Sequence, residues 1–450
     1  MNPNIFREYD IRGIAEEDLT DENVEKIGRA FGTYLGRKGL RKFVVGRDVR
    51  LSSERLKNAV IKGLFATGAE VIDVGELPTP GLYFAIIHLN ADGGIMVTGS
   101  HNPIEFNGFK LCEGIASIYG AKIQKLREII EQDEYLEGVG VIRQVDVVPA
   151  YVETLKAKFN LPRKLKVVID AGNGTTSVIA PALFEDLGCQ VVRLYCEPDG
   201  RFPNHLPDPT VPKYMVDLQK KVLEEKADVG IGYDGDGDRI GAVDDKGQLI
   251  FADRLLALFS RDVLSRYPGS TIVFDVKCSQ ALPEYIEKHG GKPLMWKTGH
   301  SLLKAKMKEE HAPLAGEMSG HMFFADEYFG YDDAIYASGR LLQILSSSGK
   351  SLSQLAAEIP YFYSTPEIRV DCPDEKKFDI VKALSQFFKH QYQTIDIDGV
   401  RVLFGDGWGL VRASNTQPVL VLRFEAKTEK RLQEIKNIFQ ATLAEYSLKL

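Results

Sequence analysis

The sequence predicts an α/β protein with three similar mixed α/β domains and a C-terminal α+β domain that contains an antiparallel sheet. Two observations predict this organisation. A unit of strand, helix and strand occurs three times, and the last part of the chain lacks it. The copies lie roughly 100–120 residues apart, a usual domain length. This spacing favours three domains over one large α/β domain with coincidental similarity.

Each unit begins with a short apolar run that ends in an acidic residue, at 43–48, 167–170 and 272–275. Short β-branched runs are typical of buried strands. Apolar residues at helical spacing follow, and each predicted helix then meets a glycine suited to a left-handed cap: Gly68, Gly188 and the pair Gly290 and Gly291. A second apolar run completes each unit, which implies a parallel crossover between its two strands.

The last part of the chain, roughly 85 residues, has the length of one small domain. Candidate strands lie at 368–370, 400–403, 410–412 and 419–424, and candidate helices at 378–388 and 432–443. We expect domains at 1–145, 146–248, 249–362 and 363–450, with linkers near 140–150, 247–252 and 360–367.

Composition narrows the functional classes. Of 450 residues, 44% are hydrophobic and 26% charged, which argues against a disordered or collagen-like chain. The net charge of −7 disfavours a general nucleic-acid binder. No apolar run reaches the roughly 18–20 residues that span a bilayer. The N-terminus has no apolar signal core, and the 5 scattered cysteines suit reduced thiols, so we expect a cytoplasmic protein.

An aspartate-rich segment, D-G-D-G-D-R, occupies residues 234–239. Its three carboxylates can surround one hard cation, Mg²⁺ or Ca²⁺, and its glycines allow the backbone to curl. An EF-hand requires Gly at the sixth position and Glu at the twelfth, whereas Arg239 and Asp245 stand there. We therefore prefer a metal loop of another kind over an EF-hand or a polar turn, with Arg239 indicating a phosphate nearby.

The segment T-G-S-H-N-P at 98–103 follows the apolar run 95–97 and places Ser100 on a loop that we expect to be exposed. It does not match the G-x-S-x-G pattern of many serine hydrolases. A Ser–His–Asp triad stays open, although nothing marks its third member, and a phosphorylated serine is the alternative. Lys110 is a candidate acid or base, or a solvated lysine.

Three further segments suit sugar or anion binding. For each of them, an ordinary polar turn, loop or terminal segment is the alternative interpretation. G-E-M-S-G-H at 316–321 has a carboxylate and a hydroxyl for paired sugar hydroxyls. R-A-S-N-T-Q-P at 412–418 combines a guanidinium with hydroxyls and suits a phosphate. F-R-E-Y-D-I-R-G at 6–13 has two arginines and a tyrosine within reach of anions.

Together, and in this order, the serine, aspartate, sugar-type and phosphate-type segments resemble the α-D-phosphohexomutase superfamily, most closely its bacterial phosphomannomutase/phosphoglucomutase branch. The resemblance covers essentially the whole chain. It implies four domains around a central cleft, each contributing one loop, in a protein that acts as a monomer on small hexose phosphates.

The resemblance also implies roles for individual residues. Ser100 matches the phosphoserine, which completes an Mg²⁺ site with Asp234, Asp236 and Asp238. Lys110 matches a general acid/base, and His300 a histidine near the reacting sugar. Arg7 and Arg239 match cations near the phosphoserine. The implied substrate contacts are Glu317 and Ser319 to the 3- and 4-hydroxyls, Arg412, Ser414, Asn415 and Thr416 to the distal phosphate, and Tyr9, Arg12, Lys277 and His321 elsewhere in the cleft.

The implied activity is reversible conversion of hexose 1-phosphate to hexose 6-phosphate through a phosphoserine enzyme and a hexose 1,6-bisphosphate. Mannose and glucose differ only at C2, so a loop that reads the 3- and 4-hydroxyls should accept both. Phosphoglucosamine mutases, the alternative within the family, tend to have Ala at the position of Gly99 and Gln at that of Met318. A Mg²⁺-dependent sugar phosphatase and a non-catalytic sugar-phosphate sensor are the alternatives from other classes.

Overall fold

The computed structural model describes residues 1–415 and 417–449, and each of its four sheets belongs to a different part of the chain. The sheets lie within residues 11–144, 166–250, 271–324 and 363–426. Four sheet-based domains therefore follow one another along the chain. Thr416, predicted to contact the distal phosphate, lies outside the described residues.

The first domain has a seven-stranded sheet of order β1-β5-β4-β2-β3-β7, with β6 paired to β5. Its strands are β1 (Ile11–Ile14), β2 (Lys42–Arg47), β3 (Glu70–Glu76), β4 (Gly93–Val97), β5 (Phe106–Glu113), β6 (Ala116–Ser117) and β7 (Val141–Gln144). Its helices are α1 (Asp21–Gly36), α2 (Ser53–Phe65), α3 (Thr79–His88) and α4 (Ala121–Gln132). Helix α3 covers one face of the sheet, and the other three helices cover the opposite face.

The second domain has a five-stranded sheet of order β12-β11-β10-β8-β9. Its strands are β8 (Lys166–Asp170), β9 (Gln190–Leu194), β10 (Val229–Tyr233), β11 (Ile240–Asp244) and β12 (Leu249–Ile250). Its helices are α5 (Val148–Lys156), α6 (Ala180–Asp186) and α7 (Val216–Glu225). Strands β8, β9 and β10 are parallel, and the turn from β10 to antiparallel β11 contains the aspartate-rich segment.

The third domain has a four-stranded sheet of order β14-β13-β15-β16. Its strands are β13 (Thr271–Asp275), β14 (Lys292–Trp296), β15 (Leu314–Gly316) and β16 (Met322–Phe324). Its helices are α8 (Ala252–Arg266), α9 (Ala281–Lys288), α10 (His300–Glu309), α11 (Ala334–Ser348) and α12 (Leu352–Ala357). The turn between β15 and β16 contains the predicted sugar-binding segment.

The fourth domain has a sheet in which every strand pair is antiparallel, of order β17-β22-β21-β20-β19 with β18 also paired to β22. Its strands are β17 (Tyr363–Ser364), β18 (Ile368–Asp371), β19 (Gln393–Ile395), β20 (Val400–Leu403), β21 (Gly407–Ala413) and β22 (Val419–Ala426). Its helices are α13 (Asp374–Lys389) and α14 (Glu429–Ala444). Short 3₁₀ turns elsewhere in the chain are Pro3–Ile5, Thr175–Val178 and Pro212–Tyr214.

The three predicted strand–helix–strand units are present as β2-α2-β3, β8-α6-β9 and β13-α9-β14, each with its two strands parallel. The glycines after the three helices have the positive φ that a left-handed cap needs, with values of 77° at Gly68, 92° at Gly188 and 79° at Gly290. The repeat predicted from the sequence is therefore confirmed.

The segments expected as linkers are different in the structure, because each contains strand residues. Strand β7 pairs in parallel with β3, β12 pairs with β11, and β17 pairs with β22. The predicted division after residue 248 falls just before β12 and stays a prediction. These strands are only two to four residues long, and such short segments become ordered by adding to an existing sheet edge.

One hydrophobic core joins the first three domains. It contains residues of α3, of one face of the second sheet with α5 and α6, and of helices α8, α9, α11 and α12 of the third domain. The opposite face of the second sheet packs against α7 in a smaller cluster, and α10 packs in another. The fourth domain has its own core and meets the third through a small cluster of Val276, Trp408 and Leu410. Among the described residues, no helix is long and apolar enough to cross a membrane.

Candidate active site

The four predicted loops meet at one place in the molecule. The segments are named by their predicted roles. The serine loop (98–103) follows β4, the aspartate loop (234–239) follows β10, the sugar loop (316–321) lies at the end of β15, and the phosphate loop (412–418) lies at the end of β21. Hydrogen bonds join the serine loop to the aspartate loop, the aspartate loop to the sugar loop, and the phosphate loop to the N-terminal segment. Each domain thus contributes one loop to a common site.

The serine loop is held by two residues of the segment after β2. The Asp48 carboxylate accepts hydrogen bonds from the Thr98 hydroxyl at 2.8 Å and from the Gly99 N–H at 3.0 Å. The Arg50 guanidinium donates to the carbonyls of Ser100 at 2.9 Å and Asn102 at 2.6 Å. These contacts fix the backbone of Ser100, whose φ of 48° lies in the left-handed region.

Ser100 itself is buried, with only 2% of its surface exposed, which corrects the expectation of an exposed loop. The second domain covers it, because its Oγ lies 3.0 Å from Oδ2 of Asp234. The same Oγ is 3.1 Å from Nδ1 of His101, whose pKa is lowered well below its usual value by burial and by the nearby guanidinium of Arg239. The carboxylate that contacts the serine is therefore Asp234 of the aspartate loop. In a Ser–His–Asp triad the carboxylate would instead contact the histidine.

The aspartate loop brings three fully buried carboxylates together, with ligand oxygens of Asp234, Asp236 and Asp238 within 4.8 Å of one another. The Asp234 Oδ1 accepts from the backbone N–H groups of Asp238 and Arg239, both at 3.1 Å. Burial and the two neighbouring carboxylates raise the pKa of Asp234 well above its usual value. This repulsion is what a bound cation would relieve.

Lys110 supplies one positive charge to this cluster. Its Nζ lies 2.6 Å from Oδ2 of Asp236 and 2.5 Å from Oδ2 of Asp238. Burial disfavours the charged lysine, yet the three carboxylates outweigh it and raise the pKa of Lys110. Lys110 is thus a buried ammonium group and not a solvated lysine.

The cluster fits a divalent cation. Oδ1 of Asp236 and Oδ1 of Asp238 are buried and have no hydrogen-bond partner among the described residues. Three carboxylates and a serine oxygen form a donor set of hard oxygens, the set that Mg²⁺ and Ca²⁺ prefer. One lysine offsets only part of the charge of three carboxylates.

Two histidines of the third domain stand beside the aspartate loop. Arg239 donates through Nε to Nε2 of His321 at 3.0 Å, so the proton of a neutral His321 is on Nδ1. That Nδ1 lies 3.0 Å from Oδ2 of Asp332 and 3.6 Å from Oδ1 of Asp238. His300, the first residue of α10, stacks on His321 with ring centroids 5.5 Å apart. Burial, followed by the charge of Lys304, lowers the pKa of His300 well below its usual value, so its imidazole is neutral.

The sugar loop presents a carboxylate and a hydroxyl that already bond each other. Oε2 of Glu317 accepts from the Ser319 hydroxyl at 2.7 Å, and Oε1 accepts from the Gly299 N–H at 3.0 Å. Lys277 lies 3.1 Å from Glu367 and 3.8 Å from Asp275. These carboxylates overcome the effect of burial and raise the pKa of Lys277.

The phosphate loop closes the site from the fourth domain. Arg412 donates through Nε to Asp398 at 2.9 Å, and Oγ of Ser414 accepts from the Gln417 N–H at 3.1 Å. The Asn415 amide donates to the Tyr9 hydroxyl at 2.7 Å. Tyr9 in turn donates to the Thr298 carbonyl at 2.9 Å, so three domains meet at this tyrosine.

The two arginines of the N-terminal segment separate in the structure. Arg12 donates to the Asn102 side chain at 2.8 Å and to Asp10 at 2.6 Å, which places it against the serine loop. Arg7 instead approaches Asp374 of the fourth domain at 3.5 Å, with 29% of its side chain exposed. Its described contacts therefore do not support a position beside Ser100.

Sequence reasoning missed several residues that build the site. Asp48 and Asp275 were visible only as the acidic ends of two repeated strands, yet Asp275 holds the Met318 N–H at 2.9 Å and the Thr298 hydroxyl at 3.0 Å. Both residues end the first apolar run of a repeated unit, and this shared position could have marked them as residues that hold a loop. Arg50, Thr79 and Asp332 carried no local pattern, although the Thr79 hydroxyl bonds Oδ2 of Asp236 at 2.5 Å.

Comparisons with known proteins agree with this architecture. Family models for phosphoglucomutase/phosphomannomutase match most of the chain: alpha/beta/alpha domains I, II and III at residues 3–137, 149–247 and 251–363, and the C-terminal domain at 367–441. The phosphomannomutase/phosphoglucomutase of Pseudomonas aeruginosa PAO1 is 49% identical over 441 residues, covering 98% of this chain and 95% of that protein. The phosphoglucomutase of Neisseria gonorrhoeae is 42% identical over 445 residues, with 98% and 96% covered.

A solved structure shows the same fold. The phosphoglucomutase/phosphomannomutase family protein of Burkholderia thailandensis superimposes with a TM-score of 0.92 at 45% identity, covering 98% of this chain and 97% of that chain. The four domains and the site between them define the class of α-D-phosphohexomutases. Within it, the chain belongs to the phosphoglucomutase/phosphomannomutase family.

Proposed function

We propose that this enzyme interconverts the 1-phosphates and 6-phosphates of mannose and glucose through phospho-Ser100 and a hexose 1,6-bisphosphate. The observation that carries the proposal is the position of Ser100 Oγ, 3.0 Å from Asp234 in a cluster of three buried carboxylates. A serine in such surroundings is poorly placed as a free alkoxide, because the carboxylates repel negative charge. A cation and a phosphoryl group together would suit it.

Asp234, Asp236 and Asp238 would hold Mg²⁺ together with a phosphoryl oxygen of Ser100. When bound, Mg²⁺ supplies a Lewis acid that offsets charge on the transferring phosphoryl group. Arg239 adds a guanidinium within 4.0 Å of Asp234, and Lys110 adds an ammonium group at Asp236 and Asp238. Both residues would supply positive charge beside a phosphoryl group on Ser100.

In the forward step, a sugar hydroxyl oxygen attacks the phosphorus, and the bond from phosphorus to Ser100 Oγ breaks. The hydroxyl proton passes to a base, for which His300 is the candidate because its imidazole is neutral and can accept a proton. Lys110 is the acid that supplies a proton to the departing serine oxygen. The product is a hexose 1,6-bisphosphate, which turns over in the cleft so that its other phosphate faces Ser100 and the step runs in reverse.

The remaining loops orient the sugar. In this proposal Glu317 and Ser319 bind its 3- and 4-hydroxyls, and Arg412, Ser414 and Asn415 bind the distal phosphate. Thr416 is assigned to the same phosphate from the sequence alone. Tyr9, Arg12, Lys277 and His321 complete the contacts. Because Glu317 and Ser319 bind hydroxyls that glucose and mannose share, we expect both sugars to be substrates.

Two positions, Gly99 and Met318, support the glucose/mannose branch over a phosphoglucosamine mutase. A Cβ at Gly99 would lie 2.3 Å from Nε of Arg50, which leaves no space for the alanine of the other branch. The Met318 sulfur lies 3.2 Å from Nη1 of Arg423, so methionine has a specific neighbour there.

The test is phosphorus NMR of mannose 1-phosphate and glucose 1-phosphate with Mg²⁺ and a trace of glucose 1,6-bisphosphate. We expect conversion of both to 6-phosphates, and a loss of roughly 1,000-fold or more in Ser100→Ala, since a covalent intermediate needs its nucleophile. Ser265→Ala, on the outer surface of α8, serves as the matched control.

Each other outcome contradicts the proposal. Wild-type turnover in Ser100→Ala would exclude the phosphoserine route. Accumulation of inorganic phosphate would indicate a sugar phosphatase. No change in either sugar would indicate an amino-sugar mutase or a sensor.

A further inference from the structure

A second cavity, of about 630 Å³, lies between the first and third domains and is separate from the four loops. Strand β6 and its neighbours form one wall, and helix α10 with residues 311–313 and 325–331 forms the other. Its volume falls within the roughly 300–1,000 Å³ of small-molecule sites. It is therefore large enough for a ligand of two or three rings.

The walls combine aromatic surface with positive charge. Tyr119, Phe329 and Tyr331 contribute rings, and Lys304, Lys308 and His311 contribute nitrogen groups. One lining residue, Asp326, is acidic, but its carboxylate accepts from Arg340 at 2.9 and 3.0 Å and from Arg266 at 2.8 Å. Lys304 is paired with Asp332, so the positive charge left for a ligand is that of Lys308, which forms no ion pair among the described residues.

Two serine hydroxyls in the walls have no hydrogen-bond partner among the described residues. They are Ser117 Oγ on β6 and Ser301 Oγ on α10, and Ser301 is only 2% exposed. Buried hydroxyls are nearly always paired, so an unpaired one in a cavity wall indicates a polar group that binds there. Hydroxyls and ammonium groups both donate to anionic oxygens.

The cavity is connected to His300 and His321 of the proposed active site through Lys304. Its Nζ lies 3.2 Å from Oδ1 of Asp332, whose Oδ2 is 3.0 Å from His321 and 3.8 Å from His300. Helix α10 carries both His300, at its first residue, and the cavity residues Ser301 and Lys304. An anion that attracted Lys304 away from Asp332 would change the charge beside both histidines.

We propose that this cavity binds a small organic anion with an aromatic body and that its occupancy changes the rate of the mutase. The change in rate rests on the function proposed above, whereas the binding itself does not. The two parts are therefore measured separately.

Binding is tested with 8-anilinonaphthalene-1-sulfonate, an aromatic anion whose fluorescence rises in apolar surroundings. We expect saturable binding to the full-length protein, and binding at least tenfold weaker for N-phenyl-1-naphthylamine, which lacks the sulfonate. Ala305→Trp, at an exposed part of the wall, should weaken dye binding at least tenfold by filling space. Lys308→Glu should weaken it several-fold, and Lys288→Glu, exposed on α9 outside the cavity, should leave it unchanged.

Three results would overturn the site. They are equal affinity in Ala305→Trp, equal affinity for the uncharged dye, and displacement of the dye by glucose 1,6-bisphosphate, which would place it in the catalytic cleft. Circular dichroism and the melting temperature of Ala305→Trp show whether that variant is folded. If it is not, Lys308→Glu decides the outcome.

Coupling is tested by the mutase rate at saturating dye. We expect kcat to change at least threefold in the wild type, and the dye concentration that gives half of this change to rise in Ala305→Trp and Lys308→Glu by the same factor as their dissociation constants. Binding at the cavity with an unchanged kcat would overturn the coupling. A wild type with no mutase activity would refute the proposed function while leaving the dye measurements intact.

Discussion

The charge of single residues determines how much the buried carboxylates of the aspartate loop destabilise the folded protein. Three carboxylates with no exposed surface face one ammonium group, that of Lys110. Removing one partner from a buried charge cluster leaves the others uncompensated. The stability of the protein should therefore depend on a cation much more strongly when the lysine is absent.

We expect Lys110→Met to lose about 3–5 kcal/mol of unfolding free energy in EDTA, because Asp236 and Asp238 then lose the ammonium group that contacts both of them. Mg²⁺ should restore most of this loss, whereas the wild type should gain much less from Mg²⁺. Thermal unfolding with EDTA or Mg²⁺ measures both effects. Lys57→Met is the control, since Lys57 forms a buried pair with Asp73 at 2.8 Å outside the metal cluster. Equal recovery with Mg²⁺ in both variants would contradict the prediction.

The absence of a Cβ at Gly99 allows the Arg50 side chain to pack against the serine loop. A Cβ there would lie 2.3 Å from Nε, 2.4 Å from Cζ and 2.8 Å from Cδ of Arg50. That guanidinium is held by carbonyls of the serine loop, so its movement would displace Ser100.

Gly99→Ala should therefore lower kcat at least tenfold and cost about 1–3 kcal/mol of stability, as overpacking usually does. Steady-state kinetics and urea unfolding measure the two quantities. Gly36→Ala is the control, because its new methyl group meets only the flexible end of Leu136, at 2.8 Å. An unchanged kcat in Gly99→Ala would show that Arg50 does not position the serine.

At the scale of elements, two strands of the fourth domain attach it to the third. Arg401 on β20 is fully buried and donates through Nη1 to the carbonyls of Val276 at 2.7 Å and Cys278 at 2.8 Å. Its guanidinium lies 3.6 Å from the centroid of the Trp408 ring on β21. Burial lowers the pKa of Arg401 to about 10, so the side chain is still charged at neutral pH.

Arg401→Ala should weaken this attachment, because it leaves two buried carbonyls unpaired at a cost of about 1–3 kcal/mol each. We expect faster cleavage by trypsin between the third and fourth domains and a separate calorimetric transition for the fourth. Arg431→Ala should change neither, because it removes only contacts within the fourth domain, namely ion pairs with Asp406 and Glu434 and a contact with the Phe404 ring. A single transition in Arg401→Ala would show that other contacts dominate the interface.

At the scale of the whole molecule, a buried carboxyl links the second and third domains. Asp333 caps α11 and accepts from the Tyr151 hydroxyl of α5 and from the Tyr328 hydroxyl, both at 2.7 Å. Burial raises its pKa to about 6, and the hydrogen bonds reduce that shift only in part. The folded protein therefore binds a proton at this site more tightly than the unfolded chain does.

The stability of the wild type relative to Asp333→Asn should depend on pH. The stabilising contribution of the Asp333 carboxyl to the free energy of unfolding is fully present below about pH 4, where the group is protonated in both the folded and the unfolded state. It is lost as the pH rises through the folded-state pKa of about 6. The total change is on the order of 3 kcal/mol, from two pKa units at about 1.4 kcal/mol each. Urea unfolding of both proteins between pH 4 and 7 measures it, and a difference independent of pH would contradict the prediction.

Local patterns in the sequence determined the architecture and the identity of the loops. Apolar runs, helical spacing and cap glycines predicted β2-α2-β3 and its two counterparts, because these signals act within about ten to thirty residues. Four motifs likewise marked Ser100, the three aspartates, Glu317 and Arg412. These assignments needed no knowledge of which residues touch.

The tertiary structure alone decided the contacts that define the site. Ser100 meets Asp234 across 134 residues of chain, and Lys110 meets Asp236 across 126, so neither contact leaves a local signal. The burial of Ser100, the pairing of Arg7 with Asp374 and the roles of Arg50 and Asp332 arise in the same way. The physical reason is that burial and charge pairing depend on which surfaces pack together, and packing brings together residues that sequence patterns describe one segment at a time.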